Sequence, residues 1–308
     1  MLSQRAIPRR RALSATVLVL GLGAVAASAL WLLVTGETGI RYSADHDDTV
    51  PMWHQWVPVA VGVALTWLIP RSREAAPGTA DGTAVAATAA TGPRRPPLGE
   101  ALALTAMALA FAVALYAVSA AGAGEPGYIL TKALALLVAP LLLFWWLRRG
   151  RRGQARSWAL WPAPARHRAA PAVPVLAWAL LTYVGPFAKP PSGFGSTVDP
   201  VTLVAVLAVG FLLNAVLEEV FYRRWLQSRW EAVLGAWPAI VLASLLWASW
   251  HVAIQGRGDL APDLAAVFVN QGVTGLFLGF LWSRYRRMWP LLVVHGLVNS
   301  GGILLGLL

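Results

Sequence analysis

The sequence has 308 residues, of which 57% are hydrophobic and only 13% are charged, whereas soluble domains carry about 25% charged residues. This composition excludes a soluble globular domain and predicts an all-α fold, a polytopic helical bundle in a membrane. There is no cysteine, so disulfides, thiolate ligands and a cysteine nucleophile are excluded. The net charge is +11, but no basic module stands outside the apolar runs, and we expect no nucleic-acid partner.

About nine apolar segments are long enough to cross a bilayer, because about 20 residues at 1.5 Å each span its hydrocarbon core. In chain order these predicted helices cover residues 12–34, 53–69, 101–121, 128–147, 170–187, 201–222, 234–254, 264–282 and 289–307. The first segment also has features of a signal peptide, since basic residues precede it and alanines follow. Its apolar run is longer than a typical signal core, which favours a spanning helix.

The distribution of lysine and arginine predicts how these helices are oriented. Most of the 25 basic residues fall in alternate connections, as they do when the basic side is cytoplasmic. The N-terminus is therefore predicted to be cytoplasmic and the C-terminus to lie outside. Four basic residues lie on the opposite side: Arg41, Lys132, Lys189 and Arg257.

Composition along the chain suggests four parts. Residues 1–69 hold two N-terminal transmembrane helices. Residues 70–97, rich in Ala, Gly, Thr and Pro, are predicted to be a disordered cytoplasmic linker. Residues 98–190 are predicted to form accessory transmembrane helices, and residues 200–308 a catalytic core.

Few charged or ionisable residues lie deep in the predicted helices: Glu218, Glu219, His251 and His295. A charge at the bilayer centre costs about 2.5–3.5 kcal/mol even on a lenient scale, so each such residue indicates function. The alternatives are structural roles: a buried ion pair that fixes helix register, and packing histidines bonded to carbonyl groups.

The two glutamates begin the first of three short motifs, in which Arg223 lies one helical turn from Glu219. This spacing predicts that Arg223 neutralises Glu219 while Glu218 points elsewhere. Asn214 lies one turn from Glu218 on the other side.

The second motif places Trp247 one turn from His251, and the third places His295 one turn from Asn299. If the three motifs converge, they can bind and polarise a water molecule, either on a divalent metal or by general-base action. Donors would remain for an oxyanion. Because a buried carboxylate without water stays protonated, this chemistry requires a cavity that water can enter.

In these three motifs the sequence resembles the CPBP family of intramembrane proteases, which includes type II CAAX prenyl endopeptidases and bacteriocin-processing and immunity proteins. The family pattern is E-E-x-x-x-R, then F-x-x-x-H, then H-x-x-x-N or D, and residues 200–308 contain it in order. Trp247 replaces the usual Phe, and Arg224 stands where Gly commonly follows the Arg. Residues 1–165 show no such resemblance.

The resemblance implies an intramembrane endopeptidase that cleaves a membrane-associated or lipidated peptide in the plasma membrane of a bacterium. It implies Glu218 as the base, supported by Glu219 and Arg223. A divalent metal, most simply zinc, would be held by Glu218, His251, His295 and Asn299. Contact with an oxyanion is the alternative role of His295 and Asn299. A non-catalytic scaffold of the same fold and a proton-coupled transporter are the alternatives.

Straight helices ending at residues 222 and 254 would leave Glu218 and His251 too far apart to cooperate. We therefore expect the sixth helix to continue through residue 230 and the seventh to begin near residue 237, with a cavity open to the cytoplasm. Gly275 and Gly279 form a small-residue face that predicts close helix packing. Asn270 and Gln271 are predicted to bond across helices, with a role in substrate binding as the alternative.

Overall fold

The computed structural model of the protein describes residues 6–42, 48–69, 98–149 and 169–308. These residues form nine helices and one short hairpin: α1 Ala6–Thr35, β1 Gly39–Arg41, β2 Thr49–Pro51, α2 Trp53–Leu68, α3 Leu98–Ala120, α4 Gly124–Leu147, α5 Ala172–Tyr183, α6 Pro200–Leu234, α7 Ala236–Gln255, α8 Leu260–Tyr285 and α9 Met288–Leu305. A 3-10 turn, Gly193–Ser196, lies between α5 and α6.

The predicted class, a polytopic helical membrane protein, is confirmed. Seven of the described helices are long and apolar enough to cross a membrane. The other two, α2 with 16 residues and α5 with 12, are shorter. The predicted linker of residues 70–97 and most of the basic segment 148–168 lie outside the described residues.

The sixth helix is long, as expected from the spacing of the motifs. It runs for 35 residues from Pro200 to Leu234, and α7 begins at Ala236. Only Gly235 separates the two, with a φ of +89°, a conformation that glycine adopts without steric cost. Glu218 therefore lies near the middle of α6, and the predicted extension is confirmed.

Three helices contain wider π-type turns. In α6 such turns cover Phe211–Val216 and Glu219–Gln227, in α4 Leu134–Val138, and in α8 Phe268–Gly272. π turns occur mostly at functional sites, because they shift the direction of neighbouring side chains.

Helices α7 and α8 form the centre of the bundle, whereas α1 lies at its edge. In the most apolar stretch of α8, 72% of the residues are buried within the protein, whereas in that of α1 only 11% are buried. Exposed apolar side chains also line the first half of α6, including Val201, Val204 and Leu212. Such apolar surfaces suit contact with lipid. The backbone N–H and C=O groups beneath them bond within the helix and need no water.

Arginines tie the helix ends together at one end of the bundle, which we call the basic end. Arg10 of α1 donates to the carbonyl groups of Ala232 and Val233, and Arg284 donates to that of Ile69 at 2.6 Å. Arg286 pairs with Glu231, and Arg229 with Glu100 at 2.8 Å. The start of α1 and the ends of α2, α6 and α8 meet here, as the predicted alternation of basic connections requires.

Gly275 lets α7 and α8 approach closely, so even a methyl group there is expected to destabilise the protein. A Cβ atom at Gly275 would lie 2.8 Å from the Cβ and 3.0 Å from the Cα of Ser244. We expect Gly275→Ala to lower the free energy of unfolding by about 1–3 kcal/mol, the usual cost of overpacking. Thermal unfolding in detergent measures the change. The control is Gly23→Ala in α1, where nothing lies within 4 Å; equal melting temperatures in the two variants would contradict the prediction.

Candidate active site

The three predicted motifs meet at an internal cavity of about 160 Å³, which we call the central cavity. This volume holds several water molecules. Four predicted site residues line it, namely Glu218, His251, His295 and Asn299, together with Tyr42, Gln55, Tyr128, Lys189, Asn214, Trp247, Trp250, Ile254, Gln255, Asn270, Gln271, Thr274 and Val298. The required cavity is therefore present.

Glu218 is bound by two donors from other helices. Lys132 of α4 donates to Oε1 and Trp247 of α7 donates to Oε2. The glutamate is only 1% exposed, and a buried carboxylate is stable in its charged form only when it is paired and hydrogen-bonded. Since each carboxylate oxygen has two lone pairs, one acceptor site on each remains for water.

Lys132 uses all three of its ammonium protons within this cluster. Besides Glu218, it donates to Tyr128 Oη at 2.6 Å and to Asn214 Oδ1 at 2.7 Å. The ammonium also lies 4.6 Å from the centre of the Trp250 ring, a favourable cation–π distance. Lys132 thus joins α4, α6 and α7 and supplies the positive charge that Glu218 needs.

Glu219 faces a different set of partners, as predicted. Its Oε2 lies 3.3 Å from Arg223 Nε, and its Oε1 lies 2.8 Å from His295 Nδ1. Arg223 is fully buried, with its guanidinium 5.2 Å from the centre of the Trp247 ring. The Glu219–Arg223 pair lies behind the cavity wall and fixes the orientation of His295.

The position of His295 follows from its contact with Glu219. A carboxylate only accepts, so Nδ1 carries the proton in this contact. The other ring nitrogen, Nε2, lies 3.8 Å from Glu218 Oε2, which is too long for a direct hydrogen bond. His295 therefore presents Nε2 to the cavity beside the glutamate.

His251 is fixed by a main-chain carbonyl and by two indole rings. Its Nδ1 lies 3.0 Å from the carbonyl oxygen of Trp247, so Nδ1 is again the donor and Nε2 is free. The ring stacks on Trp250 at 3.8 Å between centres and meets Trp247 edge-on at 4.9 Å. Asn299, one turn beyond His295, is exposed where it lines the cavity.

The predicted metal ligands do not fit a metal ion in this arrangement. Among the described residues, no group of three or more His, Asp or Glu side chains has suitable spacing. The Lys132 ammonium lies directly beside Glu218 and repels a second cation. The predicted zinc has no support in this geometry, and we derive no step through it.

Sequence reasoning missed Lys132, Tyr128 and Lys189 as site residues. Two lie on α4 and one in the connection after α5, so residues 98–190, predicted to be accessory, contribute to the site. A signal was present for Lys132 and Lys189, because both are exceptions to the distribution of basic residues. Lys132 also lies inside a predicted apolar span, where a charge indicates function.

The residues that line the central cavity lie toward the end of the bundle opposite the basic end. Its lining includes Tyr42 after β1, Gln55 at the start of α2, and Gln255 at the end of α7. Asn214 belongs to the lining, whereas Arg223, nine residues nearer the basic end on α6, does not. The positive-inside rule assigns the basic end to the cytoplasm and so places this lining toward the other face. The opening to the cytoplasm stays a prediction.

The fold and the site define a class: an integral membrane helical bundle with a buried glutamate, two histidines and a lysine around a small cavity. Residues 200–301, about a third of the chain, match the family described as type II CAAX prenyl endopeptidase Rce1-like. This match confirms the resemblance to the CPBP membrane proteases over those residues, which contain all three motifs. No curated protein and no solved structure matches the chain.

Proposed function

We propose that the protein hydrolyses a peptide bond of a membrane-associated or lipidated substrate, with Glu218 as the general base. The observation that carries the proposal is the pairing of Glu218 with Lys132 at the wall of a cavity large enough for water. A general base must be ionised before it accepts a proton, and Lys132 places a positive charge directly beside this carboxylate. The match of residues 200–301 to a protease family supports the same reaction class.

In the proposed mechanism, a water molecule is held between Glu218 and the free Nε2 of His251. Glu218 accepts a proton from the water as its oxygen attacks the carbonyl carbon of the substrate. The same carboxyl group then gives the proton to the leaving amine. Lys132 touches no substrate atom in this scheme and acts as a positioning residue that holds Glu218 charged and in place.

The oxyanion formed by this attack needs hydrogen-bond donors. The donors that α9 offers beside Glu218 in the cavity lining are the Asn299 amide and, in the imidazolium form, His295 Nε2–H. Glu219 orients the His295 ring through its contact with Nδ1 at 2.8 Å. This assignment gives a role to the second glutamate without exposing it to substrate.

We infer that the central cavity opens to the non-cytoplasmic face of a bacterial plasma membrane, because its lining lies opposite the basic end. The chain has no cysteine, so single cysteines report accessibility without background. We expect Asp259→Cys, just after α7, to react with a membrane-impermeant maleimide in intact cells. Arg11→Cys, at the basic end, should react only after lysis. The reverse result would restore a cavity open to the cytoplasm.

The function is tested by incubating the detergent-purified protein with a library of quenched peptides, with and without a lipid anchor and with and without a chelator. We expect cleavage that requires Glu218 and that a chelator leaves intact. Loss of cleavage on chelation, restored by zinc, would support the predicted metal instead. If no peptide is cleaved and Glu218 is dispensable for the cellular phenotype, the scaffold alternative replaces the proposal.

A further inference from the structure

Lys189 lies in the connection between α5 and α6, which packs against two other elements. Its main-chain N–H donates to the carbonyl of Thr182 at 3.0 Å, and the nearby Ser192 N–H donates to the carbonyl of Gly302 in α9 at 2.9 Å. The residue is only 8% exposed, and it lines the central cavity with Glu218 and His251. The backbone therefore holds a lysine at the wall of the site.

The Lys189 ammonium has no hydrogen-bond or ion-pair partner among the described residues, unlike Lys132, which has three acceptors. Glu218 is the carboxylate in the cavity lining, and it already binds Lys132. Burial lowers the pKa of Lys189 to about 8, so the side chain is still mostly protonated at neutral pH. A buried cation without a partner is unfavourable unless a ligand supplies the opposite charge.

Two amide side chains in the same lining also have an acceptor oxygen without a hydrogen-bond partner among the described residues. Gln55 donates through Nε2 to Thr274 and Gln271 donates through Nε2 to Gln255. The Oε1 atoms of Gln55 and Gln271 are buried without a hydrogen-bond partner among the described residues. They are acceptors and need hydrogen-bond donors. A peptide main chain provides N–H donors, whereas a fully ionised phosphate provides none.

We propose that Lys189 is a specificity-determining residue that binds a carboxylate of the peptide substrate. The inference rests on the proposed peptidase function and names a chemical feature of its substrate. A peptide supplies both the anion for Lys189 and the N–H donors for the two glutamines. The carboxylate comes either from the C-terminus of the substrate or from an Asp or Glu side chain, and the experiment separates these sources.

The experiment compares kcat/KM for matched peptide pairs, one pair with a free or amidated C-terminus and one with Glu or Gln near the cleaved bond. We expect the wild type to prefer the acid of one pair by roughly 10-fold or more, as for a hydrogen bond to a charged group. Lys189→Gln should reduce this ratio to about 1, and Lys189→Arg should retain most of it. The pair that shows the preference identifies the source of the carboxylate.

The same ratio has a pH dependence that a purely structural lysine would not produce. Because the free ammonium loses its proton above about pH 8, the acid preference of the wild type should fall as the pH rises past that value. In Lys189→Arg it should persist. Glu218, His251, His295, Tyr42 and Tyr128 also face the cavity, but they are the same in the wild type and in Lys189→Arg, so the comparison of the two proteins isolates Lys189.

Failure of this inference is distinguishable from failure of the proposed function. Hydrolysis with an acid preference near 1, or with a preference that Lys189→Gln leaves unchanged, overturns the role of Lys189 and leaves the peptidase in place. If the wild type cleaves nothing, binding of the same acid and amide peptides to the purified protein tests Lys189 alone. Tighter binding of the acid, lost in Lys189→Gln, supports it, and equal binding overturns it. If Lys189→Gln does not fold, the pH profile and the Lys189→Arg variant test the role of Lys189 instead.

Discussion

Replacing Glu218 with glutamine is expected to lower kcat/KM for peptide hydrolysis by about 10²–10⁴-fold, the usual contribution of a general base. Glutamine keeps the size of the side chain and can still accept a hydrogen bond from Lys132, but it cannot take a proton from water. The loss should therefore fall mainly on kcat, with KM changed little. The measurement is hydrolysis of the best quenched peptide at substrate concentrations above and below KM.

The matched control is Glu125→Gln, the same chemical change at an exposed position near the start of α4. It should leave kcat/KM unchanged. A Glu218→Gln protein that unfolds at the temperature of the wild type and retains full activity would remove Glu218 from the mechanism. A similar loss in both variants would indicate a general effect of removing negative charge.

Helical spacing predicted the relations within α6 correctly, because partners three or four positions apart on one helix need no tertiary information. The Glu219–Arg223 contact and the location of Asn214 on the face of Glu218 follow from such spacing. The same reasoning, applied to the distance between Glu218 and His251, required α6 to extend beyond residue 222. The structure confirms that extension.

The interactions that could not be predicted are those between helices distant in sequence. Lys132 and Glu218 are 86 positions apart, and no pattern on either helix specifies that α4 packs beside α6. Lys189 lies in an irregular connection without periodicity. The membrane face to which the cavity opens also depends on which side of Glu218 the bundle is open. The three motifs contain the same residues in either case, so they do not predict this face.

The loss of Lys132 should affect stability as well as activity, because it leaves Glu218 buried without its cation. We expect Lys132→Met to lower the free energy of unfolding by about 3–5 kcal/mol, the usual cost of removing one partner of a buried ion pair. Hydrolysis should also fall, since an uncompensated buried carboxylate favours its neutral form. Thermal unfolding in detergent and peptide hydrolysis on the same preparation measure the two effects.

The double variant Lys132→Met with Glu218→Gln separates these effects. With both charges removed, no unpaired ion stays buried, and replacing a whole buried pair by neutral groups is often close to neutral for stability. We expect the double variant to recover most of the melting temperature lost in Lys132→Met and to remain inactive. A double variant as unstable as the single one would mean that Lys132 acts through its bonds to Tyr128 and Asn214 rather than through its charge on Glu218. Lys132 would then be a packing residue, and the ionised state of Glu218 would need another cause.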